Sequence, residues 1–283
     1  VATTILKLNC PDAVGVLARI TGRIAAEGGN LLEVSQYTDK TSGWFFARAA
    51  VEAGDPAWSP EKFETSFAQL AAELKASWTM RPADRKRRTA ILVSKQDHCL
   101  VDLLWRWRSG ELGLDIPVVI SNHPDCRSLV EREGIPFEHV DFSNDKDAAF
   151  QRVGEILRAN DIELVVLARF MQVLPAWLCR DYDARVINIH HSFLPAFVGA
   201  NPYKRAFERG VKLIGATCHY ATADLDAGPI IEQEVARVEH YHDPDDLVRL
   251  GRDCERLALA RGVRYHVEDR VLVHGAKAIV FRD

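Results

Sequence analysis

A chain of 283 residues is long enough for about two folding units. Hydrophobic residues at 47% and charged residues at 27% are ordinary globular values, which exclude a disordered tail or a fibre. With 36 Lys and Arg against 40 Asp and Glu, the formal charge of -4 creates no field that argues for nucleic acid or an anionic membrane, so a small-molecule partner is expected.

Residues 3–8 alternate as a strand does. Asn9, Cys10, Pro11 and Asp12 read as a turn, and Val14, Leu17, Ile20 and Ile24 recur at helical spacing until Gly28 and Gly29 stop the helix. Two strands over 31–37 and 44–52, joined by a polar turn, lead into a helix through Phe63, Phe67, Leu70 and Leu74, with a last strand at 77–80. This βαββαβ order is the ferredoxin-like plan. The run Arg81-Pro82-Ala83-Asp84-Arg85-Lys86-Arg87-Arg88 breaks the pattern and reads as a linker rather than a charged loop within one domain. The expected division is therefore 1–83 and 84–283.

Beyond the break, strands and helices alternate: strand 89–94, helix 100–107, strand 116–121, helix 125–133, strand 137–140, helix 148–160, strand 163–167, a further helix, and strand 184–188. The strands are short and apolar without in-out alternation, as strands buried on both faces are. They predict an open, mostly parallel, Rossmann-like α/β sheet, whose ligands gather at the carboxyl ends of the strands. No apolar stretch approaches a membrane span, and the start Val1-Ala2-Thr3-Thr4 shows no basic-then-apolar leader, although a trimmed one stays open without an initiator Met. Six cysteines without a C-x-x-C pair or zinc-finger spacing read as reduced thiols of a cytoplasmic protein.

Two polar clusters stand at strand ends. Asn188, His190, His191 and Ser192 follow an apolar strand directly; Thr217, His219, Asp224 and Asp226 come next, ahead of Gly228-Pro229. Singly, a strand-end His is more often structural and an Asp-x-Asp before Gly-Pro is more often turn chemistry. His98 and Cys99 complete no zinc set, so no metal is expected. Cys218 reads as a small core residue. Of Trp105 and Trp107, at alternate positions on a helix, one is free to mark a subunit contact.

Asp12-x-x-Gly15-x-Leu17 with Gly29-Asn30-Leu31 resembles an ACT domain. Asn188-Ile189-His190, Ser192-Phe193-Leu194-Pro195, Gly199, Gly215-Ala216-Thr217-x-His219 and Leu225-Asp226-x-Gly228-Pro229-Ile230 resemble the formyltransferases that use 10-formyltetrahydrofolate. In that family an Asn, a His and an Asp are catalytic, which implies Asn188, His190 and Asp226 here. The chemistry suits them: attack on an N-formyl carbonyl makes an oxyanion that an Asn amide and an imidazole can stabilise, while a carboxylate takes a proton from the nucleophile.

Members that formylate glycinamide ribonucleotide carry a glycine-rich phosphate loop, and the matching stretch Ile91 to Leu100 has no glycine. Ser94-Lys95-x-x-His98-Cys99-Leu100, His190-His191-Ser192-Phe193-Leu194-Pro195-Ala196-Phe197 and Asn201-Pro202-Tyr203, behind an ACT domain, are similar to the formyltetrahydrofolate deformylases. The resemblance implies hydrolysis of 10-formyltetrahydrofolate to formate and tetrahydrofolate, formate feeding one-carbon and purine metabolism, no tightly bound cofactor, and folate along Phe170, Met171, Gln172 and Leu174 and along His219, Tyr220, Ala221, Thr222 and Ala223. His191 is open between orienting water, contacting folate and packing. The ACT resemblance implies a small amino-acid effector near Asp12, Gly15 and Asn30, and a homo-oligomer. The alternatives are a formyltransferase acting on another amine, and an amino-acid-binding regulator whose folate domain is inactive.

Overall fold

The computed structural model describes residues 3–56, 58–194 and 202–282. Pro195, Ala196, Phe197, Gly199 and Asn201 of the motifs above lie outside the described residues. The chain divides into two compact units: residues 1–85 with 268–274 and 279–283, and residues 86–267 with 275–278. The break falls two residues past the expected one, and most of the C-terminal end, expected in the second domain, groups with the first unit.

In the first unit β1 (Thr4–Pro11), α1 (Val16–Ala26), β2 (Gly29–Asp39), β3 (Trp44–Ala53), α2 (Pro60–Leu74) and β4 (Ser77–Pro82) build an antiparallel sheet of order β2-β3-β1-β4. Phe63, Phe67, Leu70 and Leu74 of α2 and Ile20 and Ile24 of α1 bury against Leu6, Leu8 and Ala49 of the sheet. Val14, expected on the α1 stripe, is fully exposed because the helix begins only after Gly15, in the left-handed region at φ 81°; Val16 takes its place in the core. The expected turn at Asn9 to Pro11 is strand instead, paired with Phe46, Phe45 and Trp44 of β3. Pairing with a neighbouring strand overrides the local turn signal there.

The supposed linker is also mostly structured. Arg81 and Pro82 finish β4, Arg87 opens the next strand, and buried Arg81 meets Asp269 with Nε to Oδ2 at 2.6 Å. Asp269 lies between α8 (Pro244–Val267) and β12 (Val271–His274), in the returning end of the chain. On the sheet face away from α1 and α2, Phe46 packs with Leu272 and Phe281.

The second unit holds a seven-stranded sheet in the order β11-β10-β9-β8-β5-β6-β7. Its members are β5 (Arg87–Val93), β6 (Leu114–Ser121), β7 (Phe137–His139), β8 (Leu164–Ala168), β9 (Val186–His190), β10 (Leu213–Tyr220) and β11 (Ile230–Arg237). The five strands from β9 to β7 pair in parallel, and β10 and β11 add an antiparallel edge. Crossovers run through α3 (His98–Arg108), α4 (Arg127–Arg132), α5 (Lys146–Ala159) and α6 (Ala176–Asp181), and α7 (Pro202–Arg209) precedes β10. The chain winds from β5 towards β7, then restarts beside β5 at β8. That reversal opens a crevice at the carboxyl ends of β5 and β8, where open α/β sheets receive ligands.

Candidate active site

Asn188 and His190 stand two residues apart on β9, so both project from one face, while Ile187 and Ile189 turn into the core. The antiparallel register sets His219 opposite Asn188 and Thr217 opposite His190. Alternation along β10 directs Cys218 and Tyr220 the other way, towards Gly262 and His266 of α8. Thr217 Oγ1 secures the segment after β9, donating to Ser192 O and accepting from Leu194 N at 2.9 and 3.0 Å.

Asp226 arrives from the loop that follows β10. The loop doubles back so tightly that a Cβ on Gly228 would sit 1.7 Å from Tyr220 O, which only glycine escapes. Tyr220 N–H donates to Pro229 O at 3.0 Å, and Thr222 Oγ1 to Asp224 O at 2.9 Å. Asp226 itself is held at φ 56°, a left-handed conformation costly for a residue with a Cβ.

Hydrogen bonds assign protons within the group. His219 Nδ1 lies 2.9 Å from Tyr220 O, which only accepts, so Nδ1 carries the hydrogen and Nε2 accepts from Asn188 Nδ2 at 3.1 Å. Burial pushes the His219 pKa down, against the Tyr220 carbonyl and the Asp226 charge, and keeps the ring neutral. One Asn188 N–H is thereby fixed and the other is left for a ligand. His190 Nδ1 lies 3.3 Å from Asp226 Oδ2, and this hydrogen bond is the main reason the Asp226 carboxyl is held below its usual range. His190 Nε2 is buried and has no partner among the described residues. Burial, then the Arg169 charge, pushes His191 down to about 4, so its imidazole is neutral near pH 7.

A cavity of about 620 Å³ in the crevice unites Asn188, His190, His191, His219 and Asp226. Of the expected folate contacts, Phe170, Met171, Gln172, Leu174, Ala221, Thr222 and Ala223 line it. Phe170 is a core residue as well, packed edge-to-face on Phe142, while Met171 is exposed. Tyr220 does not line the cavity: its ring is buried on the far face of β10 with its hydroxyl 2.8 Å from His266 Nδ1. His219 also lines the cavity, 1% exposed and with both ring nitrogens engaged by Asn188 and the Tyr220 carbonyl.

In the first unit the suggested effector residues do not converge. Asp12 and Gly15 follow Pro11, which pairs with Trp44, whereas Asn30 pairs with Glu52 at the other end of β3. Eight residues of strand separate the two places, about 26 Å.

The sequence reading missed a second group of wall residues. Glu255 of α8 is 1% exposed, accepts from the Tyr203 hydroxyl at 2.7 Å, and lies 2.8 Å from His98 Nε2 and 3.3 Å from Arg169 Nε. Burial pushes the Glu255 carboxyl up, but His98, Arg169 and Tyr203 together outweigh it and hold the pKa below the usual range. Candidate ligand atoms of His98, Cys99 and Glu255 lie within 4.8 Å of one another. His98 Nε2 is committed to Glu255, and burial, then the Glu255 charge, keeps Cys99 a thiol. The arrangement is that of a hydrogen-bonded hub. Exposed Val173 and Leu225, within the two segments expected to carry folate, also stand at the cavity edge. Trp105 is exposed on α3, and Cys218 is buried as expected.

The family model described as formyl transferase matches residues 87–263, and the ACT domain model residues 4–57. A formyltetrahydrofolate deformylase of Synechocystis sp. is 48% identical over 281 residues, covering 99% of this chain and 98% of that protein. One of Bacillus subtilis is 46% identical over 98% of this chain and 93% of that protein. A crystal structure of a formyltetrahydrofolate deformylase from Pseudomonas syringae superposes with a TM-score of 0.96 at 49% identity, covering 99% of this chain and 95% of that one.

Proposed function

The chain belongs to the formyltetrahydrofolate deformylases, an ACT domain ahead of a formyl transferase domain, and on that premise we propose how its residues carry out the reaction. The enzyme hydrolyses 10-formyltetrahydrofolate to formate and tetrahydrofolate. Water attacks the formyl carbon, and the free N–H of Asn188 donates to the oxygen that becomes an oxyanion. His190 Nε2 accepts a proton from the attacking water while Asp226 steadies the resulting imidazolium through Nδ1. As the C–N10 bond breaks, His190 returns the proton to N10, leaving the secondary amine and formic acid, which ionises to formate by releasing its proton to solvent. Atoms balance with water alone as co-substrate.

The observation that supports this reading best is the pairing of His190 Nδ1 with an ionised Asp226 at 3.3 Å in the cavity that Asn188 also enters. Folate then lies against Met171, Gln172, Leu174 and residues 221–223, with His191 a neutral wall residue. Formate release from 10-formyltetrahydrofolate without any amine tests the assignment; variants at Asn188, His190 or Asp226 that keep full turnover would falsify it.

The remaining functional proposals concern setting. The formate feeds one-carbon and purine metabolism; the first unit, expected over 1–83, senses a small amino acid in a homo-oligomer, with 84–283 catalytic. The separation of Asp12 and Gly15 from Asn30 favours one end of the domain, or two chains, over a site joining both within one chain. No helix among the described residues is long and apolar enough to cross a membrane. A cytoplasmic location is proposed.

A further inference from the structure

Arg169 directly follows β8, at the carboxyl end of a central strand, with its backbone at φ 64° in the left-handed region that side-chain-bearing residues avoid. The guanidinium is pinned from several elements. Its Nε donates to Gln96 Oε1 at 3.0 Å, from the segment after β5, and lies 3.3 Å from Glu255 Oε2 on α8. Glu255 is fixed in turn by His98 and by Tyr203, whose ring sits so close to Gly251 that a Cβ there would meet it at 2.1 Å. A residue at 8% exposure, strained and braced in this way, is placed for more than filling space.

One corner of this guanidinium is left over. Nη1 is buried and has no hydrogen-bond partner among the described residues, and Arg169 lines the cavity that His190 also lines. Buried polar groups without partners are rare, and an unpartnered guanidinium N–H on a cavity-lining residue points to a ligand with oxygen acceptors. His191 links the two regions, its ring centroid 5.3 Å from that of His190 and 6.3 Å from that of Tyr203.

We propose that Arg169 is the binding residue for the formate product: the Nη1 corner of its guanidinium, held by Gln96 and Glu255, captures the carboxylate released at His190. The inference rests on the deformylase reading for the identity of the anion. Guanidinium donors match a carboxylate in charge and in fork geometry, and Glu255 neutralises the Nε side so that the buried cation is stable before any product forms. The ionised Asp226 in the same cavity repels a second anion, which favours formate leaving once the proton transfers are complete. A folate carboxylate offers the same chemistry from another source, and the experiment separates the two.

The experiment uses the full-length protein without folate, with formate as the probe, read by saturation transfer from protein to the formate proton and by calorimetric titration. Formate is expected to bind the unaltered protein, and Arg169→Gln to weaken binding by about tenfold or more, with Arg169→Lys between them because it keeps the charge but loses the fork. Formate inhibition of turnover should weaken in the same order while KM for 10-formyltetrahydrofolate stays within about twofold. Should Arg169→Gln misfold, Arg169→Lys and formate binding to the unaltered protein decide the matter. Equal formate binding in unaltered and Arg169→Lys proteins, or none to the unaltered protein, overturns the proposal. A raised KM with unchanged formate inhibition also overturns it, assigning Arg169 to the folate carboxylates. Since binding is measured without substrate, a protein that binds formate but releases none from folate refutes the function and not the site.

Discussion

Replacing Asp226 by Asn removes one charge with almost no change in volume, and its consequence can be worked from one distance. At 3.3 Å from His190 Nδ1, a unit negative charge stabilises an imidazolium by about 5 kcal/mol at an effective dielectric of about 20. Each 1.4 kcal/mol is a factor of ten, so Asp226→Asn should lower kcat by about 10³- to 10⁴-fold. The amide also leaves His190 free to take the other tautomer, a change known to cost about 10⁴ in Asp–His pairs of hydrolases. Folate binding should change by less than about threefold, because the group acts on the transition state and not on the pterin. Formate release at saturating substrate gives kcat, and quenching of protein fluorescence by folate gives Kd. More than about a tenth of the activity surviving, or a loss confined to KM, would refute a proton-carrying His190 backed by Asp226.

Three other outcomes are expected. Gly228→Ala should lower kcat by more than about tenfold, because a Cβ 1.7 Å from Tyr220 O forces open the loop that aims Asp226; a circular dichroism melt should show the sheet retained at a cost of about 1–3 kcal/mol. His219→Leu removes the acceptor that orients the Asn188 amide, so kcat should fall by about 10²-fold with KM nearly unchanged, and an equal rise in KM would mean that His219 meets folate itself. Stability should drop as pH falls from about 6.5 towards 4, since unfolded His191 takes up a proton that the folded ring, with its pKa at about 4, refuses. The contribution is about 2–3 kcal/mol at pH 4.5, and urea melts of His191→Asn should show a flatter pH profile over that window.

Much of this arrangement was legible in the sequence where chemistry and periodicity agreed. Phe63, Phe67, Leu70 and Leu74 mark one helical face and are all buried, and Asn188, His190 and Asp226 share one cavity. What stayed hidden depended on partners far along the chain. Tyr220 beside His219 looked like a ligand contact until alternation along β10 sent its ring to α8. Glu255 lies among ordinary charged neighbours in a 24-residue helix, and only its place on the face with Gly251, Cys254, Ala258 and Leu259 hinted that one carboxylate turns inward. Arg169 ended an apolar strand in the same way, a charge where the pattern predicts none. Val14 misled because its spacing fits a helix that glycine geometry delays by two residues.

The return of the chain's end to the first unit has a consequence for synthesis. Arg81 leaves the ribosome 188 residues before Asp269, its partner at 2.6 Å. At about 5–20 residues per second, roughly 10 to 40 s pass between them, so the first unit waits for residues 268–274 before it can close. Nascent chains halted before residue 268 should therefore expose the Phe46 face of that sheet to chaperones, while a full-length chain hides it.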